Sequence, residues 1–277
     1  MKQLDFYKMS GCGNDFIIID NREKIVNGSN LPKFITSICL RKMSVGADGL
    51  ILVENSDTVD FKWQFFNSDG SRAEMCGNGA RCAARFAYVN EIAGTDMAFE
   101  TDVGIIYAAV AGDRVKIKMT DPENLETDYE IELEKGPVSV SSINTGVPHV
   151  VTELDNIDDA DDAEIVSLGR EIRFHKHFAP AGANVNFISH VANDILIRTY
   201  ERGVEDETLA CGTGAVASAI VTARRLKTIS PINLATRSRG ILTVHYNEKH
   251  GQFYDIFLEG DARIIYKGEL WEDSWTY

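Results

Sequence analysis

The chain has 277 residues, of which 44% are hydrophobic and 25% are charged, and its formal net charge is −14 at pH 7. Nucleic-acid binding needs a basic surface, so this charge argues against DNA or RNA as a partner. No apolar run approaches the length of about 18 residues that indicates a membrane-spanning helix. The start, MKQLDFYKMSGCGNDF, has no apolar core of signal-peptide length. We therefore expect a cytoplasmic globular protein that is long enough for two domains.

In the first half of the chain, the hydrophobic pattern predicts several strands and two helices. The strands are expected at residues 15–20, 50–53, 61–66, 104–111 and 115–119, and the helices at residues 31–43 and 77–92. A polar, acidic stretch with Pro122 follows at residues 120–136. We interpret it as the linker between two domains because its apolar content is low.

The second half repeats this plan. Strands are expected at residues 149–153, 185–191, 195–201, 241–246 and 253–258, and helices at residues 161–172 and 212–226. Strands outnumber helices and often follow one another through short turns, such as the turn at residues 191–195. This arrangement indicates an α+β protein with mixed sheets rather than alternating βαβ units. We expect domains at residues 1–120 and 121–263, with the tail at residues 264–277 returning to the first domain.

The cysteines do not form the pattern of a disulfide framework, because their number is odd and their spacing is scattered. They are Cys12, Cys39, Cys76, Cys82 and Cys211. No CxxC pair occurs, so we expect no zinc and no other metal. Cys39 and Cys82 fit apolar helix faces and are expected in the core. Cys12 lies beside a glycine turn and is interpreted as a small loop residue.

Two of these cysteines open nearly identical segments, CGNGARCAA at residues 76–84 and CGTGAVASA at residues 211–219. Nearly the same interval separates Gly13 from Cys76 and Gly146 from Cys211. The repetition indicates two pseudo-symmetric halves, with one thiol from each half contributing to one site. Each cysteine should lie at a helix N-terminus, where the dipole and free N–H groups favour a thiolate or a bound carboxylate. We therefore expect both thiols to have a lowered pKa.

Four stretches of the chain carry a resemblance to a known family. They read GNDF (13–16), FNSDGSRAEMCGNGARC (66–82), GVPH (146–149) with ANVNF (183–187), and YERGVEDETLACGTGA (200–215). Through them the chain resembles the diaminopimelate epimerases, which are cofactor-independent amino-acid racemases and epimerases. The resemblance implies two tandem domains, each a barrel-like mixed sheet wrapped around a central helix. It also implies that no cofactor is needed.

The resemblance implies epimerisation of LL-2,6-diaminopimelate to the meso form, in lysine and peptidoglycan precursor biosynthesis. Inversion of an α-carbon needs removal of a proton from one face and delivery of a proton to the other, and a thiolate with a thiol can do both. The catalytic pair would be Cys76 and Cys211, assisted by His149 and Glu201. The helix-start N–H groups that would bind the substrate α-carboxylate belong to Gly77, Asn78, Gly212 and Thr213. The remaining substrate-binding residues implied are Asn14, Asn67, Asn184, Glu201 and Arg202.

Two positions depart from the familiar pattern. Gly49 stands where the family often has glutamine, and Val147 stands where it often has asparagine. A related racemase acting on another amino acid therefore remains an alternative. A cysteine-nucleophile hydrolase with His149 as its base is a further alternative, but it leaves the second Cys-Gly-x-Gly segment unexplained. The expected partners are a small amino-acid substrate and a second copy of the chain in a homodimer.

Overall fold

A computed structural model describes residues 4–191 and 194–277. The chain divides into two compact units, of which the first is built from two separate segments and the second from one continuous segment. The first unit contains Met1–Ile117 and Gly260–Tyr277, and the second contains Lys118–Glu259. The turn predicted at residues 191–195 lies partly outside the described residues. Within the described part, no helix is long and apolar enough to cross a membrane.

Eighteen strands and four α-helices follow one another in the described part of the chain. The helices are α1 (Leu31–Cys39), α2 (Gly77–Val89), α3 (Asp162–Arg173) and α4 (Gly212–Leu226). The strands up to the end of the first half are β1 (Leu4–Gly11), β2 (Asn14–Asp20), β3 (Gly49–Glu54), β4 (Phe61–Asn67), β5 (Arg72–Ala73), β6 (Asp96–Thr101), β7 (Gly104–Ala111) and β8 (Arg114–Lys118). The later strands are β9 (Glu123–Leu133), β10 (Gly136–Asn144), β11 (Pro148–Glu153), β12 (Asn184–Val191), β13 (Asp194–Glu201), β14 (Asp206–Thr208), β15 (Ile232–Ala235), β16 (Ile241–Lys249), β17 (Gln252–Asp261) and β18 (Arg263–Leu270).

The strands of the first unit pair in the order β18-β1-β2-β3-β4-β6-β7-β8, and the short β5 lies beside β4. Only the β2–β3 and β4–β6 pairs are parallel. The backbone N–H of Ala262, beside β18, donates to the carbonyl of Asp113, beside β8, at 2.9 Å. This bond links the two ends of the strand series, so the sheet curls into a barrel-like shape.

The second unit has the same topology with its own strands. Its order is β9-β10-β11-β12-β13-β15-β16-β17, with β14 beside β13 and parallel pairs only at β11–β12 and β13–β15. The N–H of Met119, just before β9, donates to the carbonyl of Ile256 in β17 at 2.9 Å. The predicted pseudo-symmetry is therefore confirmed at the level of strand order and direction. The one difference in chain path is that β18, from the end of the chain, takes the place that β9 takes in the second unit.

Each curled sheet surrounds one helix that is buried on nearly all sides. In the first unit this is α2, which contacts β1, β2, β3 and β7, and in the second it is α4, which contacts strands on both sides of the series. Both helices are rich in alanine, and their middle turns are completely buried. Alanine favours the helix and lets strands approach closely. The predicted central helices are thus confirmed, and α4 has the predicted bounds.

The outer helices α1 and α3 cover the opposite face of each sheet and create a second core there. Ile35 and Ile38 of α1 pack in one such cluster, and Ile165 and Ile172 of α3 pack in the other. Helix α1 ends at Cys39 rather than at the predicted residue 43. Its last carbonyls accept hydrogen bonds from the N–H groups of residues 46 and 47, so the chain turns back instead of continuing the helix.

The prediction of a linker at residues 120–136 is wrong, because most of this stretch is the strand β9. Its side chains alternate, with Tyr129, Ile131 and Leu133 packed into the α3 core and Glu130 and Glu132 exposed. This period of two is the signal of a half-buried strand. The high glutamate content concealed it. The hydrophobic pattern also missed β1, β5, β6, β10, β14, β15 and β18.

Candidate active site

The two repeated cysteines occupy the same place in their units. Cys76 is the N-cap of α2, with φ −147° and ψ 118°, and Cys211 is the N-cap of α4, with φ −120° and ψ 115°. The N–H groups of the first two helical residues have no acceptor within the helix. They belong to Gly77 and Asn78 in α2 and to Gly212 and Thr213 in α4. The prediction that each cysteine precedes a helix start is confirmed.

Strand register shows that the remaining predicted residues fall on equivalent strands. In the first unit, Gly49 of β3 pairs with Phe16 of β2 on one side and with Asn67 of β4 on the other. In the second unit, Asn184 of β12 pairs with His149 of β11, and the register of β12 with β13 places it beside residue 201. Gly49 and Asn184 are therefore structural equivalents, as are Asn67 and Glu201.

A chain of hydrogen bonds joins two of the predicted residues in the first unit. The side-chain amide of Asn78 donates to Oδ1 of Asn14 at 2.6 Å, and Asn14 donates to Asp48 at 3.1 Å. On its other side, Asn78 accepts a bond of 2.7 Å from Arg81. Asp48 in turn accepts from Arg41 at 2.9 Å. The side chains of Asn14 and Asn78 are thus held between two guanidinium groups.

Arg81 was missed in the sequence analysis, as were Asp48 and Arg41 at the other end of this network. The side chain of Arg81 is fully buried, and it donates to the carbonyl of Gly77 and to the sulfur of Cys12, both at 3.4 Å. The Cys12 thiol donates to Asp261 at 3.2 Å. Burial raises the pKa of Cys12 to about 11, although the Arg81 charge opposes the shift. Cys12 is therefore a protonated support beneath the start of α2. The sequence feature that could have indicated this role is an arginine within an otherwise alanine-rich helix.

Asn67, at the end of β4, and Gly49, at the start of β3, are paired residues with different surroundings. Asn67 is exposed and donates to the hydroxyl of Ser71 at 3.1 Å rather than to another predicted site residue. A Cβ atom at Gly49 would lie 2.5 Å from the carbonyl oxygen of Phe66 and 2.8 Å from the ring of Phe65. Atoms of the neighbouring strand therefore occupy the position that the Cβ atom of a glutamine would need, and this explains why residue 49 is glycine.

In the second unit, His149 lies between two asparagine side chains. Nδ1 of His149 is 3.1 Å from Nδ2 of Asn186, and Nε2 is 3.4 Å from Nδ2 of Asn184. Burial, and secondarily the charge of Arg202, lower the pKa of His149 to about 3. The imidazole is therefore neutral at physiological pH. The sequence reading named Asn184 and missed Asn186, although residues two apart on a strand share a face.

Cys211 is 9% exposed, and burial raises the pKa of its thiol to about 12. The negative charge of Glu201 raises it further, while hydrogen bonds from Thr213 and Gly214 act in the opposite direction. Burial also raises the pKa of Glu201, opposed by a hydrogen bond from Thr208. The expectation of a lowered pKa at this cysteine is wrong. The helix start does favour the thiolate, but desolvation of the charged sulfur outweighs it.

Hydrogen bonds from neighbouring loops hold the candidate residues of the second unit. Arg202 donates its backbone N–H to Oδ1 of Asn184 at 2.8 Å. Thr145 donates its hydroxyl to the carbonyl of Thr213 at 3.0 Å and its backbone N–H to the carbonyl of Val147 at 3.2 Å. Val147 therefore contributes a backbone group to this bracing, and its half-buried side chain is purely apolar.

All five cysteines are free thiols. Within residues 4–191 and 194–277, no group of three or more histidine, cysteine, aspartate or glutamate side chains is arranged to hold a metal ion.

Solved structures share this architecture over almost the whole chain. A Bacillus anthracis phenazine biosynthesis protein of the PhzF family superposes with a TM-score of 0.72 at 15% identity, covering 98% of this chain and 100% of that one. A probable proline racemase from Agrobacterium radiobacter K84 superposes with a TM-score of 0.70 at 14% identity, covering 99% and 94%. At such identities the likeness concerns the fold alone. It places the chain in the class of two-unit α+β proteins with this repeated topology.

The family model for diaminopimelate epimerase matches residues 6–125 and 141–265. A diaminopimelate epimerase from Aquifex aeolicus is 44% identical, over 99% of this chain and 100% of the relative. One from Chlorobaculum tepidum is 41% identical, over 95% and 99%. One from Archaeoglobus fulgidus is 38% identical, over 97% and 96%. The chain belongs to the diaminopimelate epimerase family.

Proposed function

We propose that this protein epimerises LL-2,6-diaminopimelate to meso-diaminopimelate by proton transfer at the α-carbon, in lysine and peptidoglycan precursor biosynthesis. The observation that carries the proposal is the pair of cysteines, Cys76 and Cys211, at equivalent N-caps of two equivalent buried helices. Membership of the family supports the choice of substrate. No cofactor is part of the proposed chemistry.

Each cysteine takes one step of the inversion. Cys211 is the proton donor of the resting protein, because its raised pKa keeps it a thiol at neutral pH. Cys76 is half-buried, and its sulfur accepts a hydrogen bond of 3.5 Å from the N–H of Gly79, which stabilises a negatively charged sulfur. Cys76 is therefore the base that removes the α-proton. After one turnover the two protonation states are exchanged, and the reverse reaction restores them.

The transition state carries negative charge that spreads from the α-carbon to the α-carboxylate. In the absence of an electron sink, preorganised N–H donors at the helix starts supply the stabilisation. We assign this role to Gly77 and Asn78 of α2 and to Gly212 and Thr213 of α4. The bonds that brace Asn78 and the Thr213 carbonyl support the assignment, because they hold these turns rigid before substrate binds.

The groups distant from the reacting carbon bind through polar side chains. We assign the ammonium contact to Glu201 and a carboxylate contact to the guanidinium of Arg202, whose planar fork suits two oxygens. Asn14, Asn67 and Asn184 complete the proposed set. Oδ1 of Asn184 already accepts the N–H of Arg202, so its Nδ2 is the group that remains for a substrate oxygen. His149 assists as a neutral hydrogen-bonding group.

The second candidate is racemisation of another amino acid. It is favoured by Gly49 and Val147, because neither side chain can supply a hydrogen bond to the distal part of a long substrate. Purified, reduced protein should be incubated in D₂O with a panel of amino acids and no added pyridoxal phosphate. We expect deuterium at the α-carbon of diaminopimelate and both stereoisomers on chiral chromatography. Exchange confined to another amino acid would favour the second candidate, and no exchange with any would refute both.

We further propose that the protein works in the cytoplasm as a homodimer. The free state of all five cysteines supports a reducing compartment. Tyr266 of β18 and Trp271 just after it are exposed aromatic side chains that suit a contact with a second copy. Sedimentation of the purified protein should give twice the mass of one chain, and a single-chain mass at micromolar concentration would refute the dimer.

A further inference from the structure

We propose that Asn186 is a positioning residue that holds His149 in the neutral tautomer with its proton on Nε2. The consequence for catalysis rests on the proposed function, whereas the tautomer itself does not. Asn186 is completely buried in β12, and its side-chain amide lies within hydrogen-bond distance of the imidazole.

The orientation of the Asn186 amide is set by its other partners. Its Nδ2 donates to the backbone carbonyl of Val150 at 3.0 Å, and a carbonyl can only accept. Its Oδ1 accepts the hydroxyl of Thr199 at 3.0 Å. The group that lies 3.1 Å from Nδ1 of His149 is therefore an N–H donor. A hydrogen bond at this contact requires Nδ1 to carry a lone pair, not a proton.

The second ring nitrogen faces another amide whose orientation is also set by the backbone. Asn184 accepts the N–H of Arg202 through Oδ1, so its Nδ2 faces Nε2 of His149 at 3.4 Å. An imidazolium would place an N–H against a donor on both sides. A neutral imidazole has one unprotonated nitrogen that can accept a hydrogen bond. We assign this acceptor to Nδ1, because its contact with Asn186 is the shorter of the two. Asn184 has the carbonyl of Pro148 as its other acceptor at 3.4 Å. The ring proton therefore sits on Nε2, on the side of Asn184.

Asn186 also lies against the first turn of α4. A Cβ atom at Gly214 would be only 2.2 Å from Oδ1 of Asn186 and 3.3 Å from Cβ of Cys211. The same amide therefore touches the helix start that carries the cysteine and orients the histidine. In this arrangement Nε2 of His149 carries an N–H and the lone pair of Nδ1 is engaged by Asn186, so neither nitrogen takes up a proton. The hydrolase alternative, in which His149 is the base of a cysteine nucleophile, loses its base.

The tautomer can be read directly by NMR. In protein labelled with ¹⁵N-histidine, long-range ¹H–¹⁵N spectra at neutral pH distinguish a protonated from an unprotonated ring nitrogen, and His149→Gln identifies the signals among the six histidines. We expect Nδ1 unprotonated and Nε2 protonated. Asn186→Asp places a carboxylate, which only accepts, against Nδ1, so Nδ1 should become protonated. Asn233→Asp, at an exposed residue of β15 that also accepts a threonine hydroxyl, is the matched control and should change nothing.

If the protein is the proposed epimerase, Asn186→Asp should lower kcat by about 10- to 100-fold with a smaller change in KM, the range known for hydrogen-bond partners that orient metal-ligating histidines. A protonated Nδ1 in the unaltered protein would overturn the inference without any variant, so loss of folding in Asn186→Asp cannot rescue it. Unchanged His149 signals in a folded Asn186→Asp protein would also overturn it. The expected tautomer together with no epimerase activity would refute only the proposed function.

Discussion

The first turns of α2 and α4 begin with the same Cys-Gly-x-Gly segment and are supported by different chemistry. Around Cys76 the supporting groups are charged, with Arg81 on one side of Asn78 and Asp48 with Arg41 on the other. In the second unit a buried imidazole lies between two amides, and the charged group that acts on Cys211 is the carboxylate of Glu201. The helix starts are equivalent, yet one thiol is half-buried and the other is nearly inaccessible.

Under the proposed function, this difference holds two thiols in opposite protonation states within one architecture that is used twice. The shared part is the backbone frame, which presents a cysteine and two free N–H groups in each unit. The part that differs is the polar lining. In the second unit, burial and Glu201 keep the thiol protonated. A two-base inversion needs one thiol and one thiolate at the start, so an asymmetric lining suits it better than two identical halves would.

The largest expected effect comes from removing either cysteine. Cys76→Ala and Cys211→Ala should each lower the epimerisation rate by at least about 10²- to 10⁴-fold, the range for loss of a general acid or base. Circular dichroism should show that both variants remain folded. Cys39→Ala, in the α1 core, is the control and should keep most of the activity. Nearly normal turnover in either site variant would break the assignment of one step to each unit.

The second prediction concerns acid sensitivity, which should reside in the second unit. Folding lowers the pKa of His149 from 6.5 to about 3, so the unfolded chain binds the proton more readily. The contribution of His149 to the free energy of unfolding is therefore fully present above pH 6.5. It is lost as pH falls from 6.5 towards 3, at about 1.4 kcal/mol per pH unit. The equivalent residue of the first unit is Phe16, which cannot titrate. Hydrogen exchange between pH 7 and pH 4 should therefore show α4 losing protection before α2.

His149→Gln should flatten this dependence of the free energy of unfolding on pH. His250→Asn is the control, because residue 250 is exposed and its φ of 53° suits asparagine. An unchanged slope in His149→Gln, or equal loss of protection in both central helices, would contradict the prediction.

The third prediction compares the equivalent strands β9 and β18. Ile131 in β9 is 3% exposed, whereas Ile265 in β18 is 51% exposed. Ile131→Ala should lower the free energy of unfolding by about 2–4 kcal/mol, because it leaves a cavity in the α3 core. Ile265→Ala should change it by less than about 0.5 kcal/mol. Urea unfolding of both variants measures the difference. Similar losses in the free energy of unfolding would mean that the two strands contribute equally to stability.

The smallest effect comes from the second glycine of each Cys-Gly-x-Gly segment. A Cβ at Gly214 would meet Asn186 at 2.2 Å, whereas a Cβ at Gly79 would lie 3.3 Å from Ile51, 3.5 Å from Trp63 and 3.6 Å from Cys76. Gly214→Ala should cost about 1–3 kcal/mol by overpacking. Gly79→Ala should be close to neutral, because the gain in helix propensity of about 1 kcal/mol offsets the tight contact. Thermal unfolding of the pair tests whether the two turns are packed differently.

The elements that local patterns specify were predicted well. The strand at residues 104–111 and the helix at residues 212–226 have the predicted bounds, and the repeated cysteines lie at equivalent helix starts. The linker prediction failed because Ile131 and Leu133 of β9 are buried against residues of α3 and β12, which are distant in sequence. Arg81 and Asn186 were missed because they make their contacts with residues 69 and 37 positions away in the sequence.

By itself, the sequence determined the two-fold repeat, the helix starts with their cysteines, and the α+β character, because these follow from residue order and local backbone preference. The tertiary structure alone decided the pKa of Cys211, the neutral state of His149 and the reason for Gly49. Those properties depend on burial and on neighbours brought from distant strands. Desolvation at Cys211 reversed the sign of the shift that its helix start had indicated.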